Sequence, residues 1–375
     1  MNQLNFRSLL GVIAEQFDIL PATGGAYELL QTPDEERRFE ESVCDKGDKN
    51  VSSFAEPVNE VFVSKKITEI PRKQKHFFRY FIDGTVQTYV LGTGLEHDRT
   101  FPIVLAQIGA AALFREDNGL LTRANENNKL LLLLPFGLIS SSSLQKIIEM
   151  SEKCMGNHLE VVDTTKKDDD LGDVKEFEDE TNRSTGIAKS RMRSLEHKLA
   201  EKLGVDTEVH FIIDGTIRSG SFGWGGTVPK NAVAVSKSFS QQPKFDVFKK
   251  ETEMKNVPRL LAQLQVENRT PAFFTSKGKV IFWYIRMREQ GQVDYPLMGV
   301  IKVEIPAPGD PYTNASSEYI DLVSGCLLSE RNVTPYGNDS RWHAHIYPVY
   351  ATEQYIKSRF YSRDILEGMI CWPRK

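Results

Sequence analysis

Cysteine is scarce in this chain and poorly placed for chemistry. Only four of the 375 residues are cysteine. Cys44, Cys154, Cys326 and Cys371 form no Cys-x-x-Cys pair, which excludes a zinc knuckle and a disulfide framework and fits a reducing compartment. Long apolar runs are missing too: the longest, Leu130 to Leu138, falls well short of the roughly 20 residues that span a bilayer. Met1 to Arg7 lacks the basic-then-apolar layout of a secretory signal, so the sequence reads as that of a cytoplasmic protein with no membrane partner. Positive charge is not in excess. With 47 Lys and Arg against 51 Asp and Glu, the net charge of -4 argues against a generally basic nucleic-acid coat protein, although an acidic insertion can offset a local basic groove. The glycine-rich stretch SGSFGWGG (219–226) has no GxxxxGK[ST] pattern, which rules out a P-loop.

What the chain does have is the composition of a soluble globular protein, 40% hydrophobic and 26% charged. It also has one short pattern twice: an apolar strand running into Asp-Gly-Thr, at Phe77 to Thr85 and at Val209 to Thr216. Asp-Gly is a common hairpin-turn dipeptide, so each copy predicts a carboxylate at a strand end or turn, behind which the strand is buried. Two such carboxylates from distant parts of the chain could share a hard cation.

Around these copies the sequence divides at about residue 70. Residues 1–70 read as a helix over Phe6 to Leu20 followed by a polar, acidic arm, and 71–375 as one large domain. Within that domain, Thr88 to Leu91 is expected to be the antiparallel partner of the first Asp-Gly-Thr strand. Phe101 to Leu113 suits either a strand or a tightly packed helix, and Lys129 to Phe136 a buried strand. Ser140 to Ser143 offers caps for a helix through Met150. An acidic insertion, about 164–185, reads as a solvated loop. Ile187, Met192, Leu195, Leu199 and Leu203 then mark an amphipathic helix with Arg193 and Glu196 beside its apolar stripe. Asn231 to Phe239 predicts a strand with Lys237 near its end, and Gly278 to Arg286 and Met298 to Ile305 a neighbouring pair of strands. A loop through His343 to Pro348 feeds a final helix within Ala351 to Leu366.

This order predicts an α/β fold, a mixed sheet flanked by helices that resembles the ribonuclease H-like architecture. Carboxylates at such strand ends and on a covering helix would repel one another and so favour a divalent cation, by oxygen chemistry Mg²⁺ or Mn²⁺. Two such ions serve phosphodiester hydrolysis. Lys237 suits either a phosphate contact or a solvent-facing strand end. Arg286, Arg288, Lys357, Arg359 and Arg363, interleaved with Trp283, Tyr284, Phe360 and Tyr361, suit either a nucleic-acid groove or ordinary surface charge around core aromatics.

Several stretches together resemble the NurA nucleases: Ile82 to Thr85, Arg191 to Glu196, Ile212 to Gly215, Val235 to Ser238, Val300 to Pro306, and Tyr347-Pro348 before the last helix. The resemblance runs from about Lys75 to the C-terminus. It implies a ribonuclease H-like fold related to the PIWI domain of Argonautes and Mn²⁺-dependent (or Mg²⁺-dependent) DNA cleavage. It also implies a homodimer docked on a hexameric HerA-type ATPase, in DNA end processing or anti-phage defence. Carried over by position, Asp83, Glu196 and Asp214 would hold metal, Lys237 would contact phosphate, and the fourth ligand would be Glu353 or, alternatively, His345. The alternative function is a catalytically inert module that binds DNA or regulates the ATPase. A guide-directed nuclease would need a guide-anchoring module that this sequence does not offer.

Overall fold

A computed structural model describes residues 6–22, 27–28, 50–58, 62–72, 76–155, 158–165, 180–206, 209–217, 228–239, 244–248, 256–275, 277–289, 297, 299–331 and 344–373. Residues 31–49 and 59–60 of the polar arm expected over 31–60, the middle of the acidic insertion (166–179), the glycine-rich stretch and His343 lie outside the described residues, while 50–58 of that arm are described and bury Val51, Ala55 and Glu56.

Four short strands, β1 (Asp18–Pro21), β2 (Tyr27–Glu28), β3 (Asn50–Val51) and β4 (Lys65–Lys66), precede three long ones, β5 (Phe78–Glu96), β6 (Arg99–Arg115) and β7 (Leu121–Leu134). The remaining strands are β8 (Leu159–Asp163), β9 (His210–Asp214), β10 (Ala232–Ser236), β11 (Lys244–Phe245), β12 (Asn268–Arg269), β13 (Phe273–Phe274), β14 (Val280–Arg286) and β15 (Val300–Pro306). The helices are α1 (Phe6–Gln16), α2 (Ser141–Met155), α3 (Glu180–Asp206), α4 (Val257–Ala262), α5 (Ser317–Leu328), α6 (Tyr347–Lys357) and α7 (Arg363–Met369). Among the described residues no helix is long and apolar enough to cross a membrane.

The fold is mixed α/β. Among the described residues a thirteen-stranded sheet runs in the order β4-β12-β14-β15-β10-β9-β5-β6-β7-β8, with β1 and β2 also on β5 and β13 on β14. At its centre β7, β6 and β5 are antiparallel neighbours, β5 pairs β9 in parallel and β9 pairs β10 in parallel. Both faces are covered. Ile82, Ile213 and Ala234 pack with Ile187, Leu195 and Leu199 of α3 on one face. Phe81, Ile212 and Val235 pack with Ile320 and Val323 of α5 and Val349 of α6 on the other. The apolar runs of β9, β10 and β14 follow from this double coverage, which leaves no solvent face to alternate toward. Phe101 to Leu113 lies within a strand, and the two C-terminal strands β14 and β15 pair as the sequence suggests.

Several expectations are corrected. The first Asp-Gly-Thr is no turn: Asp83, Gly84 and Thr85 sit inside the 19-residue strand β5, and Thr88 to Leu91 continues that strand, whose partner is β6. Gly84 is not among the positive-φ glycines; its missing side chain serves helix packing instead. The second copy does behave as a strand end, with Gly215 at φ +99 just after β9. The first helix stops at Gln16, and Asp18 to Pro21 pairs with β5. Glu180 to Thr185, counted within the insertion, opens α3. The final helix is two, because the chain breaks after Lys357 and restarts where the Ser362 hydroxyl accepts from Ile365 N at 3.4 Å.

At the far end of the sheet, buried Glu56 receives both terminal nitrogens of buried Arg269, at 2.6 and 2.9 Å, together with Ala272 N and Ser317 Oγ. Arg269 Nε donates to Asp321 at 2.6 Å. Such a pair is held by its completed hydrogen bonds more than by net charge attraction.

Candidate active site

The parallel register brings the two Asp-Gly motifs together. Ile82 pairs Ile213, so the next residues on the adjoining strands, Asp83 and Asp214, stand side by side. Side chains alternate along a strand, and Asp83 therefore shares the α6 face with Phe81 while Gly84 faces α3 with Ile82. Asp83 is only 4% exposed, in mid-sheet, and its Oδ1 accepts the Gly84 N–H at 2.8 Å.

Lys237, just past β10, lies 3.3 Å from Asp214 Oδ2. Glu353 on α6 is paired with Lys357 one turn on, at 2.7 Å. Asp214, Lys237, His345 and Tyr350 line a small recess between the ends of β9 and β10 and the start of α6. His345 is buried there, its ring 5.8 Å from that of Tyr350.

Burial pushes the Asp83 carboxyl well above the ordinary aspartate range, and the negative charges of Asp214, Glu353 and Glu196 push the same way against the pull of Lys237. Burial would also raise Glu353, but Lys237, Lys357 and His345 outweigh it and hold that carboxyl low. Ionisation of one acid is thus opposed and that of another favoured, within one electrostatic cluster.

Two glycines shape the cluster from opposite faces. A Cβ on Gly84 would clash with Met192 Sδ of α3 and stand 2.8 Å from Glu196 Oε1. A Cβ on Gly109, in β6, would stand 2.8 Å from Ile356 Cγ1 of α6 and 2.9 Å from the Phe360 ring. Both helices therefore approach the sheet closely beside Asp83. The Gln107 side chain completes the arrangement, donating to Tyr361 O at 3.0 Å and accepting from Tyr361 N at 2.9 Å just beyond α6.

Of the residues singled out in the sequence, Asp83, Asp214, Lys237, Glu353 and His345 thus gather on the α6 face. Glu196, buried on α3, reaches the same point of β5 from the opposite face, through the gap at Gly84. Among the described residues no group of three or more His, Cys, Asp and Glu side chains converges tightly enough to hold an ion as it stands. The donor chemistry fits a hard cation all the same: oxygen donors crowded until ionisation of one of them is opposed by the charge of the others.

The basic and aromatic groove is corrected in part. Trp283 and Tyr284 are buried, and buried Arg286 donates to the carbonyls of Leu264 and Leu261 at 2.5 and 3.0 Å. These residues belong to the core. Lys357, Arg359 and Tyr361 remain at the surface.

Sequence reasoning assigned no role to Ser236 or Glu304, which hold the exit of β9. The available signal was a lone acid, Glu304, in the otherwise apolar alternation Val303-Glu304-Ile305 of a covered strand. The chain matches no family model, and no curated protein matches it.

Proposed function

We propose that this protein is a metal-dependent deoxyribonuclease of ribonuclease H-like architecture, acting as a cytoplasmic homodimer with a hexameric HerA-type ATPase on DNA ends, in repair or in defence against phage. One observation carries the reading: Asp83, buried in mid-sheet, faces Asp214 and Glu353 and is raised by burial and by their charge. A carboxylate placed only for stability would be paired as Glu56 is. The strand order β7-β6-β5-β9-β10 supports the architecture, with acids on its middle strand, on the helix before β9 and at the end of β9.

In this reading Asp83, Asp214, Glu353 and Glu196 would hold two Mn²⁺ or Mg²⁺ ions, which when bound activate water and neutralise the leaving oxygen. Lys237 engages a phosphate oxygen, exchanging its Asp214 contact for the substrate. The recess beside His345 and Tyr350 reaches Asp214 and Lys237 but, at about 10 Å³, holds little more than one water, so in this reading it must widen for the backbone to enter. One observation favours the inert-subunit reading instead: Asp214 and Glu353 are each already paired with a lysine.

The deciding experiment is Mn²⁺-dependent cleavage of linear single- and double-stranded DNA by wild type, Asp83→Asn and Asp214→Asn, each with and without a co-expressed HerA-type ATPase. Cleavage by wild type that falls at least about 100-fold in both variants is the expected result. Undiminished cleavage in either folded variant, or none by wild type in any combination, would overturn the nuclease reading.

A further inference from the structure

Asp214 is the last residue of β9, paired with Val235 of β10, and the strand end beyond it has no further ladder to hold it. Three contacts hold this one. Gly215 N donates to Val235 O at 2.9 Å, and Ser236 Oγ donates to Gly215 O at 2.6 Å. Glu304 Oε2 then accepts Ile217 N at 2.7 Å.

Glu304 is an unusual residue to find here. It is 2% exposed, on β15, with Ala234 of β10 as its cross-strand partner. Its second oxygen receives Lys302 Nζ at 2.5 Å, and that ammonium also lies 4.7 Å from the Phe282 ring centre. Both carboxylate oxygens are thus engaged, one by a charge and one by a backbone amide belonging to the exit of β9. Burying a carboxylate is costly unless such partners offset it. An apolar residue would suit the strand better if packing were its whole task.

We infer that Glu304 is a positioning residue: by gripping Ile217 N–H across β10, it sets where the chain leaves β9 and so keeps the Asp214 carboxylate beside Asp83 and Lys237. Ser236 is the other half of the grip. The two anchors fix the residues on either side of Thr216, so that Gly215 can take its positive φ while Asp214 stays directed at the α6 face. The value of this geometry to metal chemistry rests on the nuclease reading; the grip itself does not.

The test compares wild type with Glu304→Gln, whose amide oxygen can still accept from Ile217, and Glu304→Leu, which cannot. Hydrogen exchange at the Ile217 amide is read first, on the full chain without metal. We expect protection in wild type and Glu304→Gln and at least about 10-fold faster exchange in Glu304→Leu, while amides in the centre of β5 keep their rates. Titration with Mn²⁺ alone is read second, by calorimetry. If wild type binds the ion, Glu304→Leu is expected to bind about 10–100-fold more weakly, with Glu304→Gln close to wild type. Unchanged Ile217 exchange in Glu304→Leu, or Mn²⁺ affinity equal to wild type in that variant, overturns the inference. Absence of Mn²⁺ binding in wild type counts against the metal reading, and the exchange result alone then decides the grip. If Glu304→Leu fails to fold, Glu304→Met is read in its place: faster Ile217 exchange than in Glu304→Gln sustains the proposal, and unchanged exchange overturns it.

Discussion

Asp83 costs the folded protein stability when it ionises, and the sign of that cost is fixed by its surroundings. Its folded pKa lies above its unfolded one, because burial and the neighbouring acids both disfavour the charge. The native state therefore binds more protons than the unfolded chain between those two values, and the contribution of Asp83 to stability declines as pH rises through that window. Asp83→Asn removes the cost while keeping the shape. In chelator-treated protein at neutral pH we expect it to raise the melting temperature by about 2 °C or more, with the gain vanishing toward about pH 4. Thermal unfolding of both proteins across this range checks it; equal melting temperatures throughout would mean that Asp83 carries no such burden. The same residue shows what a sequence can and cannot disclose. A carboxylate behind an apolar strand was readable in Phe77 to Asp83, but the neighbours that shift it come from β9, α3 and α6, up to 270 residues away in the case of Glu353.

At the scale of elements, the site depends on how closely α3 and α6 approach the sheet. Gly84→Ala places a methyl against Met192 and Glu196, and overpacking of this kind costs about 1–3 kcal/mol. Met192 is a flexible side chain, so the double variant Gly84→Ala/Met192→Ala should show strong coupling, costing less than the sum of the two single changes. Denaturant unfolding of the four proteins measures it, and simple additivity would show that the methyl meets no resistance from Met192. This pinch also explains the misread motif. Asp-Gly signals a turn because glycine tolerates positive φ, yet at Gly84 glycine is needed for its lack of volume on the α3 side of an extended strand. Spacing alone cannot separate the two uses. The apolar strands β9, β10 and β14 were legible because coverage on both faces makes both of their sides apolar. The split of the last helix was not, since Ser358 to Ser362 carries neither glycine nor proline and the Gln107 clamp on Tyr361 is a tertiary contact.

Across the whole molecule, the acid limit of stability should be set in part at the end of the sheet far from Asp83. Burial opposes ionisation of Glu56, but the Arg269 guanidinium and the donors from Ser317 and Ala272 outweigh it and hold the carboxyl below its ordinary range. Here the unfolded chain binds more protons, so the contribution is complete above the ordinary glutamate pKa and is lost as pH falls toward the lower folded value. Arg269→Met leaves that carboxylate buried without its partner and should destabilise by about 3–5 kcal/mol at neutral pH, with a smaller deficit in acid. Denaturant midpoints at neutral and acid pH would show it, and a deficit that grows in acid would reverse the assignment. The pair has a further consequence during synthesis. Glu56 and Arg269 are 213 residues apart, which at roughly 5–20 residues per second is about 10–40 s of translation. Through that interval Glu56 has emerged and its guanidinium has not, and Lys65 and Lys66 likewise await Asn268 and Arg269. The nascent chain must carry an unfinished sheet edge until Arg269 has emerged, which leaves the segment from Glu56 to Lys66 dependent on protection over that interval.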